Sequence, residues 1–207
     1  MVYRKTKATE ERKEARRRLL LDAATRLFGK HGYHATTVPM IVAEAESSTG
    51  SFYMHFQNKE DVFNAALENL WSKIEEVMNK IKTSHPDPLK GLPRAIEALF
   101  LFLAQNPQEA RILIVESSGL SPRLEKTRRA NLTRQEDEVR QMLESAPSLF
   151  AVKNARIAAR CMVGATFEAL YCWLAEDPKT RMPATEVAQA VAQFATRAVR
   201  KVAAKAK

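Results

Sequence analysis

Two short stretches decide how this chain is read: Thr37-Val38-Pro39-Met40-Ile41-Val42-Ala43, and Ser48-Thr49-Gly50-Ser51-Phe52-Tyr53-Met54-His55-Phe56. Thr37 can cap a helix whose first turn holds Pro39, where a missing N–H costs little. Met40, Ile41 and Ala43 give that helix an apolar side. Glu46-Ser47 makes a turn, and Ser48 caps a third helix, Thr49 to His55. Two short helices joined by a tight turn form a helix-turn-helix. The second of the pair must enter the major groove, so its outer side needs small or polar groups. Ser48, Thr49, Gly50 and Ser51 supply them, with hydroxyls that can meet phosphates or base edges. Phe52 and Phe56 lie four apart and can pack inward. Tyr53 and His55 project differently and can reach phosphate oxygens. Asn58 caps a fourth helix starting at Lys59, whose charge and nearby free N–H groups could hold another phosphate.

Toward the N-terminus, Glu10 to Phe28 reads as an amphipathic helix, with Ala15, Leu19, Ala23, Leu27 and Phe28 at three- and four-residue steps. Gly29 and Gly32 bracket its end, and Tyr33 to Thr36 is a short connector. Residues 1–18 carry eight Lys/Arg against three Glu. Arg4, Lys5 and Lys7 fit either a basic arm in a neighbouring groove or a solvated tail. Arg16, Arg17 and Arg18 are consecutive and cannot share one helix face.

Toward the C-terminus, the fourth helix runs past Trp71 and Ile81 until Thr83 to Pro88 breaks it. Helical stretches follow at roughly 88–105, 107–117, 122–145, 149–175 and 184–204. This predicts an all-α fold of about nine helices, with no strand. The 207 residues suffice for one good core or a small domain attached to a larger one. A net charge of +9 suits a polyanion partner. No signal peptide is read, and no uncharged apolar run reaches the length of a membrane span, so a cytoplasmic protein without a membrane partner is expected.

Other chemistries find little support. His31, His34, His55 and His85 show no His-x-x-x-His spacing, and no Gly-rich phosphate loop or nucleophile elbow is present. Cys161 and Cys172 read as two small buried apolar residues that could share a helix face. No catalytic residue, metal or cofactor is expected. The competing readings are a sequence-nonspecific DNA-binding protein and a helical protein-interaction adaptor.

Gly32 to Val38, Ser48 to Phe56, and Asn58-Lys59-Glu60-Asp61-Val62-Phe63 together resemble the TetR family of transcription regulators. The resemblance covers about residues 12–65. It implies a DNA-binding domain over 1–57 with an N-terminal arm at 1–9, and a helical ligand-binding and dimerisation domain over 58–207. It also implies a palindromic operator bound by a homodimer, with repression as the common mode and release by a small molecule. Thr37, Ser48, Thr49, Gly50, Ser51, Tyr53, His55 and Lys59 occupy its DNA-contacting positions. Three residues depart from the pattern. Glu46 stands where a Gly is common, Thr49 where Lys or Arg is common, and Met54 where an aromatic is common. Met54 could touch a thymine methyl.

The resemblance also points to the last two long helices as a dimer seam. Ile157, Cys161, Gly164 and Glu168 lie on one of them. Val187, Val191, Phe194, Ala195, Arg197 and Val199 lie on the other, although an intrachain core seam would show the same spacing. Phe100, Leu103, Ile112, Glu116, Met142, Met162, Phe167 and Tyr171 are candidate ligand contacts, and a plain core shows that pattern too. Their character suits an elongated inducer of low polarity. The helix Asn58–Ile81 is expected to carry movement between the two parts, with Glu60, Asp61 and Trp71 as levers.

Overall fold

The computed structural model describes residues 7–201. Its elements are α1 (Lys7–Ala35), α2 (Val38–Glu44), α3 (Thr49–Tyr53), α4 (Lys59–Ser84), α5 (Pro88–Gln105), α6 (Pro107–Arg111), a π-helical turn (Ile112–Glu116), α7 (Pro122–Ser145), α8 (Ala155–Ala175) and α9 (Ala184–Val199). Among the described residues the only strand-like pairing is an isolated bridge between Phe150 and Arg200. The fold is all-α, as the sequence predicts.

The chain forms two compact units. One holds the described residues up to Leu70 together with Gln108–Leu124; the other holds Trp71–Pro107 and the described residues from Glu125 onward. The sequence places a boundary at 57/58. The first unit instead keeps the opening turns of α4 and takes in the distant α6–π-turn segment.

In the first unit, α1 buries Leu20, Leu21, Ala23, Ala24, Leu27 and Phe28, while Leu19 is half exposed and Ala15 is exposed. The stripe read in the sequence therefore holds at Ala23, Leu27 and Phe28, while Leu20, Leu21 and Ala24 take the buried places expected of Ala15 and Leu19. Phe28 meets Phe63 edge-on at 4.9 Å, and Tyr33 meets Phe63 at 5.0 Å. Such aromatic pairs add specific attraction to the area they bury.

Two glycines shape the end of α1, and neither acts as a simple stop at position 29. The helix runs through Gly29 because that residue is a close-approach point. A Cβ there would lie 2.5 Å from the Cβ of Gln108 and 2.7 Å from its carbonyl oxygen. The break comes at Gly32, with φ 82° and ψ 167°, and one more turn follows to Ala35. The buried Thr36 hydroxyl donates to the Gly32 carbonyl at 2.8 Å.

The turn between α2 and α3 is left-handed at Glu46, with φ 45°, the only non-glycine residue with positive φ among those described. An L-residue pays roughly 1–2 kcal/mol there, and glycine's greater unfolded freedom offsets roughly 0.5–1 kcal/mol of the gain. Glu46→Gly should therefore stabilise the protein by about 0.5–1 kcal/mol. For a chain of this size that is a rise of about 2 °C in thermal midpoint, read by circular dichroism. A lower midpoint would mean the Glu46 side chain contributes more than its backbone costs.

In the second unit, Leu92, Ile96, Leu143, Phe150, Met162, Ala192, Ala195 and Val199 form one cluster, with Val191 packed against it. Small residues at 188, 192 and 195 on α9 are buried and allow close helix approach. The α8 helix begins at Ala155, later than the spacing suggests. Residues 149–151 are drawn off to the chain's end instead: Ala151 N–H donates to Val199 O at 2.8 Å and Lys201 N–H to Leu149 O at 2.9 Å. Asn154 then caps α8 by accepting from Ile157 N–H at 3.1 Å. The α9 helix stops at Val199 because Arg200 is extended. Residues 202–204 of the expected 184–204 helix, like Arg4 and Lys5 of the basic arm, lie outside the described residues. The α8 helix has the length and mean hydropathy of a membrane span, but Arg156, Arg160 and Glu168 interrupt it, so no uncharged apolar run of that length is present among the described residues. Its Met162, Thr166, Leu170 and Trp173 side is buried within the unit, as in the core helix of a globular domain.

Candidate DNA interface and helical-unit sites

Three caps set the recognition elements. Thr37 Oγ1 accepts from Met40 N–H at 3.4 Å, and Ser48 Oγ from Ser51 N–H at 3.1 Å. Asn58 Oδ1 accepts from Asp61 N–H at 2.9 Å, while Asp61 Oδ2 accepts from Gln57 N–H at 3.1 Å. Each cap fixes a helix start by satisfying one of its orphan donors. Both capping hydroxyls act here as acceptors, so their own O–H protons remain to donate.

Behind α3, Phe52 and Phe56 are buried with ring centres 5.7 Å apart. That anchoring turns the other side outward. Thr37, Ser48, Thr49 and Gly50 are exposed, Ser51 is half-buried, Tyr53 is 57% exposed and Met54 is 73% exposed. A methionine so exposed contributes nothing to the core. His55 is half-buried in a polar depression with Glu10, Lys13, Glu14, Arg17 and Met54. Burial first, then the charges of Lys13 and Arg17, hold its pKa below the usual histidine value. At neutral pH it therefore presents a neutral imidazole.

The arginine run divides its work. Arg16 donates to the Glu46 carbonyl at 3.4 Å, and Arg17 lies over the Phe56 ring at 5.2 Å. Both tie α1 to the turn and to α3, and Arg18 is exposed.

Lys59 differs from its sequence reading. Its Nζ donates to Tyr33 O at 2.8 Å, Thr36 O at 2.9 Å and His34 O at 3.4 Å, and sits 4.3 Å from the Tyr33 ring centre. An ammonium has three protons, and here all three go to the carbonyls that end α1. Lys59 is a clamp on the helix-turn-helix, which corrects its assignment as a phosphate donor. Burial lowers its pKa. Asp61 is also committed, since its Oδ1 accepts from Arg123 at 2.9 Å.

Two family descriptions match the chain: "Bacterial regulatory proteins, tetR family" over residues 20–66 and "Tetracyclin repressor-like, C-terminal domain" over residues 85–199. The chain belongs to the TetR family. The first of these descriptions is one of bacterial regulatory proteins, and it falls on the helix-turn-helix. The chain is 35% identical over 86 residues to the transcriptional regulator HbdR of Aromatoleum sp. (strain CIB), a match covering 42% of this chain and 34% of that protein. It is 26% identical over 132 residues to the transcriptional repressor NicS of Pseudomonas putida (strain KT2440), covering 63% of this chain and 62% of that protein. These matches span from about a third to under two thirds of the relatives' length. A solved SmeT–triclosan complex shares the fold, with TM-score 0.78 and 24% identity over 90% of this chain and 92% of that one.

The candidate ligand residues scatter once placed in this TetR fold. Ile112 is fully buried in the first unit. Glu116 is in that unit too, accepting from Tyr33 N–H at 3.0 Å and Arg111 Nε at 3.2 Å. It braces the end of α1, and both of its oxygens are engaged, which corrects its reading as a ligand group. In the second unit, Phe100 and Leu103 are fully buried, with Phe100 5.9 Å from Trp173. Met142 lines a cleft of 570 Å³ formed by the end of α4, the start of α5 and α7. Met162 and Phe167 line a narrower pocket of 60 Å³ that shares Met78, Leu92, Ala95, Gln135 and Val139 with that cleft. Tyr171 is exposed. Met78, Ala95 and Gln135 went unread in the sequence, and His85 was read only for metal-ligand spacing, because nothing in their spacing marks a cavity.

Ile157, Cys161, Gly164, Glu168 and Tyr171 are all exposed, at alternating steps of four and three along α8. On α9, Phe194 is 67% exposed and Arg197 is exposed. Val191, Ala195 and Val199 belong instead to the intrachain cluster. The seam read in α9 therefore merged two faces: one is intrachain core, and the other carries Phe194 and Arg197.

Proposed function

We propose that this TetR-family regulator is a cytoplasmic repressor that binds a palindromic operator as a homodimer and leaves it when a small, largely apolar molecule binds the helical unit. The carrying observation is the outer side of α3. Exposed Ser48, Thr49, Gly50, Tyr53 and Met54 stand on a helix whose inner side is locked by Phe52 and Phe56. One recognition helix makes few contacts, so paired half-sites are needed for affinity. The exposed apolar stripe on α8, with Phe194 on α9, supplies the dimer face. The relative NicS is named a repressor, and the fold relative SmeT was solved with triclosan; both favour this reading. Release follows if the ligand prefers a form whose half-site spacing no longer fits DNA.

Fluorescence anisotropy on labelled duplex from just upstream of the protein's own gene tests this, against a shuffled duplex at one fixed salt concentration. The upstream duplex should bind at least about 10³-fold tighter than the shuffled one. Tyr53→Phe and His55→Ala should each weaken it by about tenfold, the effect of losing a hydrogen bond at both half-sites. A phosphate beside His55 would raise its pKa from the lowered value of the free protein. Binding then takes up a proton, and affinity should rise as pH falls below neutral. His55→Ala should flatten that dependence. Equal, salt-steep binding to both duplexes would instead show a nonspecific DNA-binding protein.

A further inference from the structure

Charge is segregated along the second unit's last two helices. None of the chain's 24 acidic residues falls in residues 145–167 or 187–207. The fold brings these two runs together. Ala151 N–H donates to Val199 O at 2.8 Å and Lys201 N–H to Leu149 O at 2.9 Å, so the approach to α8 lies beside the end of α9. Phe150 and Val199 anchor that junction in the core. Lys153 and Arg156 stand on one side of it and Arg200 and Lys201 on the other, with Arg197 in the last turn of α9. All five cations are exposed.

Two features separate this cluster from ordinary surface charge. The first is pairing. In the same unit Arg94, Arg128, Arg134, Arg140 and Arg160 each meet a carboxylate. The five cations of the cluster meet none among the described residues. The second is sign. A helix start carries partial positive charge and favours acids in its first turn. The first turn of α8 holds no acid; Arg156 is in it, and Lys153 directly precedes the Asn154 cap. Neither cation helps its own helix. Arg197, Arg200 and Lys201 suit the end of α9 by the same rule, so Lys153 and Arg156 are the telling pair. An external anion would turn that repulsion into attraction for all five.

We propose that this cluster is a second DNA-binding surface, one that holds the phosphate backbone of duplex DNA without reading its sequence. It belongs to the helical unit, whereas α3 belongs to the other. Each cation that displaces condensed counterions from DNA adds affinity that falls steeply with salt. The proposal rests on the regulator reading for one point. If α3 keeps the chain on DNA, duplex phosphate is the polyanion at the highest effective concentration. Stable binding to a lipid surface adds buried apolar groups to cations. Beside these cations in the chain stand Ala151, Asn154 and Ala198, small and exposed. Exposed Ile157 and Phe194 belong to the face assigned to the second copy.

The test uses the full chain and a shuffled duplex, so that no operator is needed. Tyr53→Phe and His55→Ala are present throughout, to weaken the contribution of α3. Adding Lys153→Gln, Arg156→Gln, Arg200→Gln and Lys201→Gln should weaken binding at least about tenfold at about 0.1 M salt. The slope of log K against log salt should fall by about 3. Lys153→Gln and Arg156→Gln alone should give about half that fall, and should leave the thermal midpoint unchanged or raised. Arg197 stays in place because the face toward the second copy claims it. Energy transfer between duplexes of two colours tells the phosphate's source. Pairing of the colours that the four substitutions abolish puts a second duplex on the cluster. The same loss of affinity without pairing puts there the flank of the duplex that α3 holds. Unchanged affinity and slope would overturn the proposal. So would a variant that sediments as a monomer, which would assign the cations to contact between copies, or tighter binding to phosphatidylglycerol vesicles than to duplex. Upstream DNA enters none of these measurements. A chain that behaves as described yet shows no preference for its upstream duplex would sustain the cluster while removing operator recognition from the proposed function.

Discussion

Gly32→Ala should destabilise the DNA-binding unit by about 3 kcal/mol, the sum of two independent penalties. The first is conformational. The pair φ 82°, ψ 167° lies in a region that essentially only glycine occupies, and holding another residue there costs roughly 1–3 kcal/mol. The second is steric. A Cβ at position 32 would lie 3.1 Å from both carboxylate oxygens of Glu116. Glu116 cannot retreat freely, because one oxygen accepts from Tyr33 N–H and the other from Arg111. Moving it by the few tenths of an ångström required would lengthen both bonds. Denaturant unfolding of the variant should show a lower midpoint with an unchanged slope, the mark of lost stability rather than altered compactness. Adding Glu116→Ala should recover only the steric part, leaving the backbone penalty in place. A loss below about 1 kcal/mol for Gly32→Ala would contradict the conformational argument itself.

That pair of residues also marks where the sequence stops being legible. The three caps, Thr37, Ser48 and Asn58, could be read because a cap is a bargain between residues three apart. The strained turn was visible as Glu46 standing at a position that favours glycine, and its φ of 45° bears this out. Gly29 was misread because its reason lies in Gln108, on a segment that the fold returns to α1. No local pattern announces a neighbour that distant. Glu116 was misread for the same reason: a charged residue among apolar ones signals that it must be paired, but not with what.

The ligand and dimer residues show a different limit. Apolar residues at helical spacing report that a face is covered, not what covers it. Phe100, Leu103, Met142 and Tyr171 look alike in the sequence, yet two are sealed core, one lines a cleft and one is exposed. On α9, Ala195 and Phe194 are adjacent, and their side chains lie 1% and 67% exposed. A heptad pattern could not divide them, because it does not say which of two neighbouring faces the intrachain core covers. Gln135 was invisible for the opposite reason. On a helix as rich in polar residues as α7, a glutamine attracts no notice until its burial is known.

Lys59→Met carries the second large effect, and its two readouts separate a clamp from a DNA contact. Removing the ammonium strips donors from the carbonyls of Tyr33, Thr36 and His34 at once, and with them the cation resting on the Tyr33 ring. Each hydrogen bond to a charged group is worth roughly 1.5–3 kcal/mol. The site is only half-buried, so water recovers part of that. A net loss of about 2–3 kcal/mol in urea unfolding is the expected result. Lys59→Arg should not restore it, since a planar fork cannot converge on three carbonyls as a compact ammonium does. Operator affinity will fall as well, because the clamped carbonyls join α1 to the recognition helices. The salt dependence tells the two roles apart. A lost phosphate contact lowers the slope of log K against log salt by about 0.9 for each contact. A lost clamp leaves that slope where it was, provided binding is measured at a temperature where the variant is fully folded. The protons of Lys59 are already spent within the protein, so the slope should not change. A drop of about one unit or more per half-site would return Lys59 to the DNA interface.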